Sequence, residues 1–173
     1  MANDSREVFI AVASNKMANN LLNENETLRN SIHVERNVAL AYIATCLFID
    51  GLLSLEKSQR ASYDLEIIDD VIGRCMPAGN IVMKDYMGFL NDIGEQKLGE
   101  LFAAVGEKAG RRYCVSLYLY NQLKLSETEF PQKMFEETLG EHCFPGIEMI
   151  FEKLSSDDWG DFIRVAEGQT PLE

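Results

Sequence analysis

The chain has 173 residues, 46% of them hydrophobic, which is enough for one domain to bury a core without disulfide or metal staples. Sixteen lysines and arginines stand against 28 aspartates and glutamates, a net charge of −12 that opposes contact with nucleic-acid phosphates or anionic lipid. The greasiest run, residues 38–49, includes Thr45 and falls short of the roughly 18 apolar residues a membrane span needs.

Acids at the N-terminus, where a secretory signal carries bases, point away from a targeting segment. Cys46, Cys75, Cys114 and Cys143 show no Cys-x-x-Cys spacing, and three of them lie inside apolar runs. Packed thiols in a reducing cytoplasm are the expectation.

Asp4 with Glu7 forms a capping box that predicts a first helix, with Phe9, Ala13, Met17 and Leu21 as its stripe. Residues 23–30 are polar and predict a loop or a short helical turn. Residues 33–53 are apolar on nearly every side, the pattern of a central buried helix. Asp50-Gly51 is expected to interrupt it, with Ser54 capping a new helix whose stripe is Leu65, Ile68, Ile72 and Met76. Pro77-Ala-Gly79 stops that helix, and Asn80 is a candidate cap for the next, with Met83, Met87 and Leu90 inward. Gly94 separates a segment carrying Leu98, Leu101, Phe102 and Val105, after which Gly106 and Gly110 loosen the chain.

Residues 111–123 have a strand-like composition, yet no second strand offers a partner for their backbone groups, so helix is predicted. Ser126-Glu-Thr-Glu129 reads as a second capping box, with Thr128 the alternative cap because Pro131 sits awkwardly deep otherwise. A short helix should end at Gly140, and Phe144-Pro-Gly146 should turn the chain into a helix through Ile147, Ile150, Phe151 and Leu154. A last helix starts at Ser156, with Trp159, Phe162, Ile163 and Ala166 as its apolar side.

Little in the chain suggests catalysis. It has two histidines: His33 stands at the start of an apolar helix, and His142 adjoins Cys143, where neighbouring residues do not face one another. The sequence has no Gly-x-Ser-x-Gly elbow, no phosphate-binding glycine loop and no His-Glu-x-x-His pair. Lys108, Arg111 and Arg112 form the tight basic cluster of the chain, expected to pair with neighbouring acids on the surface. Asp157, Asp158 and Asp161 can converge on a hard cation within one helical turn, but acids at a helix start are already explained by the helix dipole.

The negative charge is concentrated late: residues 127–173 carry twelve acids and three bases. This segment should attract a basic protein surface, with Glu136, Glu137, Glu141, Asp157, Asp158 and Asp161 as the expected partner-binding residues.

One motif carries a family likeness. Asp50-Gly-Leu-Leu-Ser54-Leu-Glu56-Lys57 resembles the Asp-Gly-x-x-Ser-x-Glu-Lys turn of the tellurite-resistance TerB-like family. The likeness covers eight residues plus a pattern, and about half the chain lies outside it. It implies an all-helical fold with an internal duplication, a divalent metal held by acids such as Asp50 and Glu56, and a role in stress or phage defence through partners. In a second copy, Gln122-Leu-Lys-Leu-Ser126-Glu-Thr-Glu129, Gln122 replaces the aspartate and Leu123 the glycine, which puts a paired metal site in doubt.

The sequence thus predicts one all-α domain over residues 1–173, of about seven to eight helices. Residues 1–126 form a core of two loosely related halves, and residues 127–173 add an acidic helical pair. The expected function is a non-enzymatic, acidic protein-binding module, without cofactor apart from the divalent metal that the likeness implies. The alternative is an acidic inhibitor, such as an immunity protein, antitoxin or phage-encoded antagonist, that covers a basic site and can imitate nucleic acid. A metal-dependent enzyme using Asp157, Asp158 and Asp161 with Asp50 comes last.

Overall fold

The computed structural model describes residues 2–54, 65–76 and 78–156. Among these, all regular structure is helical: α1 Ala2–Glu24, α2 Glu26–Ser31, α3 Arg36–Ser54, α4 Leu65–Cys75, α5 Gly79–Ile93, α6 Glu95–Val105, α7 Glu107–Gln122, α8 Gln132–His142 and α9 Phe144–Ser156. The fold class is all-α, as the periodicity implied. No described helix is long and apolar enough to cross a membrane.

α3 is the axis of the bundle. Ile43, Ala44, Cys46, Leu47 and Phe48 are fully buried, and α1, α5, α7 and α9 pack around it. Residues 43–52 have no polar face to give to water and are buried throughout, whereas Val38 near the start of the helix is 40% exposed. The predicted interruption at Asp50-Gly51 does not occur: α3 runs through both residues to Ser54, and Gly51 is buried. Burial of Ile49 and Leu52 on either side outweighs the cost of about 1 kcal/mol for a helical glycine.

α1 begins at Ala2, so Asp4 and Glu7 stand inside the helix and not at its predicted start. Ala13, Met17 and Leu21 are buried as predicted, and Ile10, Ala18 and Leu22 widen the buried side. Residues 25–31 form a cap and a short helix. The Asn25 Oδ1 accepts from the Leu28 N–H at 2.9 Å, and the Arg29 guanidinium donates to the last carbonyls of α1, Leu22 O and Asn23 O.

Ala78, at φ 63°, reverses the chain between α4 and α5. α5 begins at Gly79, which puts Asn80 within the helix. A Cβ on Gly79 would lie 2.6 Å from Ile72 and 3.2 Å from the Thr45 hydroxyl, so a glycine lets this corner close against α3. The inward side of α5 is Val82 and Tyr86, with the predicted Met83 and Leu90 half-buried against the core, whereas the predicted Met87 is exposed. Tyr86, Phe89 and Tyr42 surround the Tyr118 ring of α7 with centroids 5.1 to 6.0 Å away, which locks α3, α5 and α7 together.

Gly94 and Gly106, at φ 91° and 92°, each end one helix and start the next. Gly110, by contrast, lies within α7, where an added Cβ would meet the Phe102 ring at 2.4 Å. It seats α6 on α7 and does not loosen the chain. α8 starts at Gln132, one residue after Pro131, and not at the predicted Ser126 or Thr128, whose hydroxyls instead bond each other. Pro131 lacks an N–H, so the helix begins where its absence costs nothing. α8 also continues through Gly140 to His142, and α9 begins at Phe144, with Pro145 in a first turn that needs no donor. The last helix predicted from Ser156 lies outside the described residues, apart from Ser156, which ends α9.

Candidate functional site

α7 starts at Glu107 because Gly106 can take a positive φ, and this sets the phase of everything on the helix. Positions 108 and 112, four apart, fall on one side, facing α9. Lys108 Nζ lies 2.6 Å from Glu148 Oε1, and Arg112 Nη1 donates to the same oxygen at 2.8 Å. Arg112 also reaches inward, with Nε 3.5 Å from Oδ2 of Asp50. Arg111 turns back along the helix to Glu107 at 2.9 Å. The basic cluster therefore pairs with acids, as expected, but Arg112 is no surface residue: its side chain is 17% exposed and that of Asp50 is fully buried.

Two carboxylates on one guanidinium respond in opposite directions. Burial pushes the Asp50 carboxyl above its ordinary range, against the pull of Arg112, Arg111 and Lys108. Glu148 is held below its ordinary range, first by its hydrogen bonds from Lys108 and Arg112. The Phe144 ring lies under the guanidinium, 4.5 Å from centroid to Cζ, and covers a cation whose Nη2 is buried with no acceptor among the described residues. Asp50, Arg112 and Glu148 thereby bind α3, α7 and α9 into one ionic joint.

Arg112 and Glu148 of that joint line an open cleft of about 730 Å³ between α7 and the α8–α9 corner. Its apolar walls include Val105, Tyr113 and Phe144, its charged ones Glu107, Lys108, Glu136 and Glu148, and Gly140 leaves one side open. Ser116 at its base is buried.

The residues expected to bind a partner divide. Glu136 is half-buried in the cleft wall, with its Oε1 accepting from Gln132 Nε2 at 3.1 Å. Glu137 and Glu141 point away to solvent, side by side along α8. Asp157, Asp158 and Asp161 lie outside the described residues, as does Glu56. Asp50 is not in an interhelical turn. Its place in α3 directs the carboxylate at Arg112, and no group of three or more His, Cys, Asp or Glu side chains among the described residues is arranged to hold a metal ion. His33 is exposed, with its backbone N–H donating to Leu123 O at 3.1 Å, and His142 is exposed beside a buried Cys143. Cys46, Cys114 and Cys143 are buried thiols outside any disulfide.

No family model, curated protein or solved structure matches this chain. Glu148 and Tyr113 belong to no sequence motif that marks a site. Asp50, Arg112 and Glu148 are 62 and 36 residues apart, so no local spacing links them. The one available signal was an aspartate inside an apolar helix, which needs a buried cation as partner.

Proposed function

We propose that this chain is a non-enzymatic protein-binding module that engages a basic surface through the acidic side of α8 and the loop before it. The observation that carries this reading is the exposure of Glu127, Glu129, Glu137 and Glu141, against a single exposed lysine, Lys133, in residues 127–150. No ion pair engages these four carboxylates among the described residues. Glu107 of α7 and Glu148 of α9, by contrast, are held in internal pairs. Exposed, unpaired carboxylates steer an oppositely charged partner and make its capture salt-sensitive. The TerB-like resemblance supports the same class, partner binding in a stress or defence setting.

A more specific form of the reading is an acidic inhibitor that covers a basic catalytic or nucleic-acid-binding site. The i, i+4 spacing of Glu137 and Glu141 favours it, because it presents two carboxylates side by side. The test begins with a basic protein that co-purifies with the full chain. The purified pair is then titrated calorimetrically with wild type and with a Glu127→Gln, Glu129→Gln, Glu137→Gln, Glu141→Gln variant. Weakening of about ten-fold or more, steeper at low salt, is expected. Unchanged affinity overturns the reading, and loss of the target's own activity on binding selects the inhibitor form.

A further inference from the structure

We propose that the cleft between α7 and the α8–α9 corner takes an arginine side chain of that basic partner, with Glu136 as its counter-ion. The inference rests on the acidic-surface reading and adds a defined socket to it.

The charges around the cleft point to the occupant. Lys108 and Arg112 both converge on Glu148, and Arg112 also answers Asp50. Glu107 is held by Arg111. Among the acids lining the cleft, Glu136 alone has no cation among the described residues; its recorded partner is the neutral Gln132 amide. The opening thus keeps one uncompensated negative charge, half-buried, where solvent screens it less than at Glu137 or Glu141. An anion entering here would meet that carboxylate; Lys108 and Arg112 already hold Glu148, and the Arg112 nitrogen without an acceptor, Nη2, is buried away from solvent.

The apolar lining narrows the choice further. Val105 and Tyr113 are 53% and 44% exposed, large hydrophobic side chains left open to water on a wall of the cleft. A cleft lined by a carboxylate, an aromatic ring and aliphatic carbon suits a guanidinium on a three-carbon stem: the planar fork pairs with the acid, and the flat face and the methylenes have apolar wall to lie on. Lysine would satisfy the charge but offers no flat face to Tyr113. The volume, about 730 Å³, exceeds one side chain and admits the neighbouring residues of a peptide segment.

Gly140 gives an uncharged way to close the socket. It lies on the cleft wall within α8, and a Cβ added there meets nothing within 4 Å. A leucine at this position would project bulk into the opening while leaving every carboxylate in place.

The experiment titrates a capped Ala-Arg-Ala tripeptide into the isotopically labelled full chain and follows amide shifts by NMR, with the citrulline tripeptide as a neutral isostere. Saturable shifts at Gly106, Ser116 and Gly140, absent with citrulline, are expected. Glu136→Gln should weaken binding about five-fold, the scale of one partly exposed ion pair. Gly140→Leu, checked for a native spectrum, should abolish the shifts, and Glu137→Gln with Glu141→Gln should leave them. Shifts confined to the outer side of α8 and lost with Glu137→Gln and Glu141→Gln would overturn the socket while leaving the acidic-surface reading intact. Absence of any saturable shift also overturns the socket, and the calorimetric titration above then decides the surface reading separately.

Discussion

Replacing Arg112 by methionine tests whether the ionic joint between α3, α7 and α9 holds the fold together. The substitution keeps much of the aliphatic stem but removes the guanidinium from a fully buried Asp50 and from Glu148. Breaking a buried pair from one side costs about 3–5 kcal/mol, since the remaining charge stays desolvated. Here the loss should be smaller, because the contact to Asp50 is a long 3.5 Å, Arg112 keeps 17% exposure, and Arg111 and Lys108 still act on Asp50. An unfolding free-energy loss of about 2–3 kcal/mol follows, or about 5–10 °C in Tm for a chain of this size. Adding Asp50→Asn should recover part of it, with a coupling of about 1–2 kcal/mol in a double-mutant cycle. The pH dependence has a definite sign. Asp50 titrates above its ordinary 3.8 in the folded protein, so the folded state holds a proton that the unfolded chain releases, and stability falls as pH rises from there through the folded value. Arg112→Met raises that carboxyl further, so its cost should be larger at pH 7 than near pH 4. Urea unfolding at both pH values measures this. An Arg112→Met variant within about 0.5 kcal/mol of wild type at neutral pH, the range of an ordinary surface substitution, would refute the account of the joint.

Other consequences are more local. Gly110→Ala gains about 1 kcal/mol of helix propensity but drives a methyl to 2.4 Å from Phe102, an overpacking cost of about 1–3 kcal/mol, so Tm should fall, whereas Gly140→Ala, with open space around it, should raise it. Equal Tm changes for the two glycines would contradict the packing described between α6 and α7. Glu148→Gln should flatten the acid limb of the stability curve, because the folded Glu148 carboxyl lies below its ordinary 4.5 and its contribution is lost as pH falls through that lowered value. An unchanged acid limb counts against the Lys108 and Arg112 contacts. Among the thiols, Cys75 should react first with a disulfide reagent, while Cys46 and Cys143 should wait for unfolding, since burial pushes the Cys143 thiol up to about 12 and raises the Cys46 thiol as well. Rapid native labelling of Cys143 would contradict the packing of α8 against α9.

The helices were legible where apolar spacing is regular. Met17 and Leu21 on α1, and the near-continuous apolar run of α3, identify buried sides without any tertiary knowledge. Boundaries were misjudged where a local rule met a packing demand. Gly51 continues α3 because its neighbours are buried, and Gly140 continues α8 for want of any conformation that requires a stop there. Gly110 looked like a flexible point, yet it is a site of close approach, a distinction that depends on Phe102 eight residues away. The site was legible only in part. Glu136, Glu137 and Glu141 stood out by charge, but that Glu136 turns into a cleft while Glu137 and Glu141 face water depends on the phase of α8, which Pro131 sets. The Asp50 to Arg112 contact joins residues from separate helices, and sequence proximity carries no trace of it.

The central claim is that carboxylates of the α8 surface hold a basic partner. Calorimetric titration of the purified partner against wild type and the Glu127, Glu129, Glu137 and Glu141 glutamine variant, at low and high salt, tests it most directly. Wild type should bind tightly and weaken steeply with salt, and the variant should bind more weakly with a shallower salt dependence. Equal affinities with equal salt slopes would contradict it.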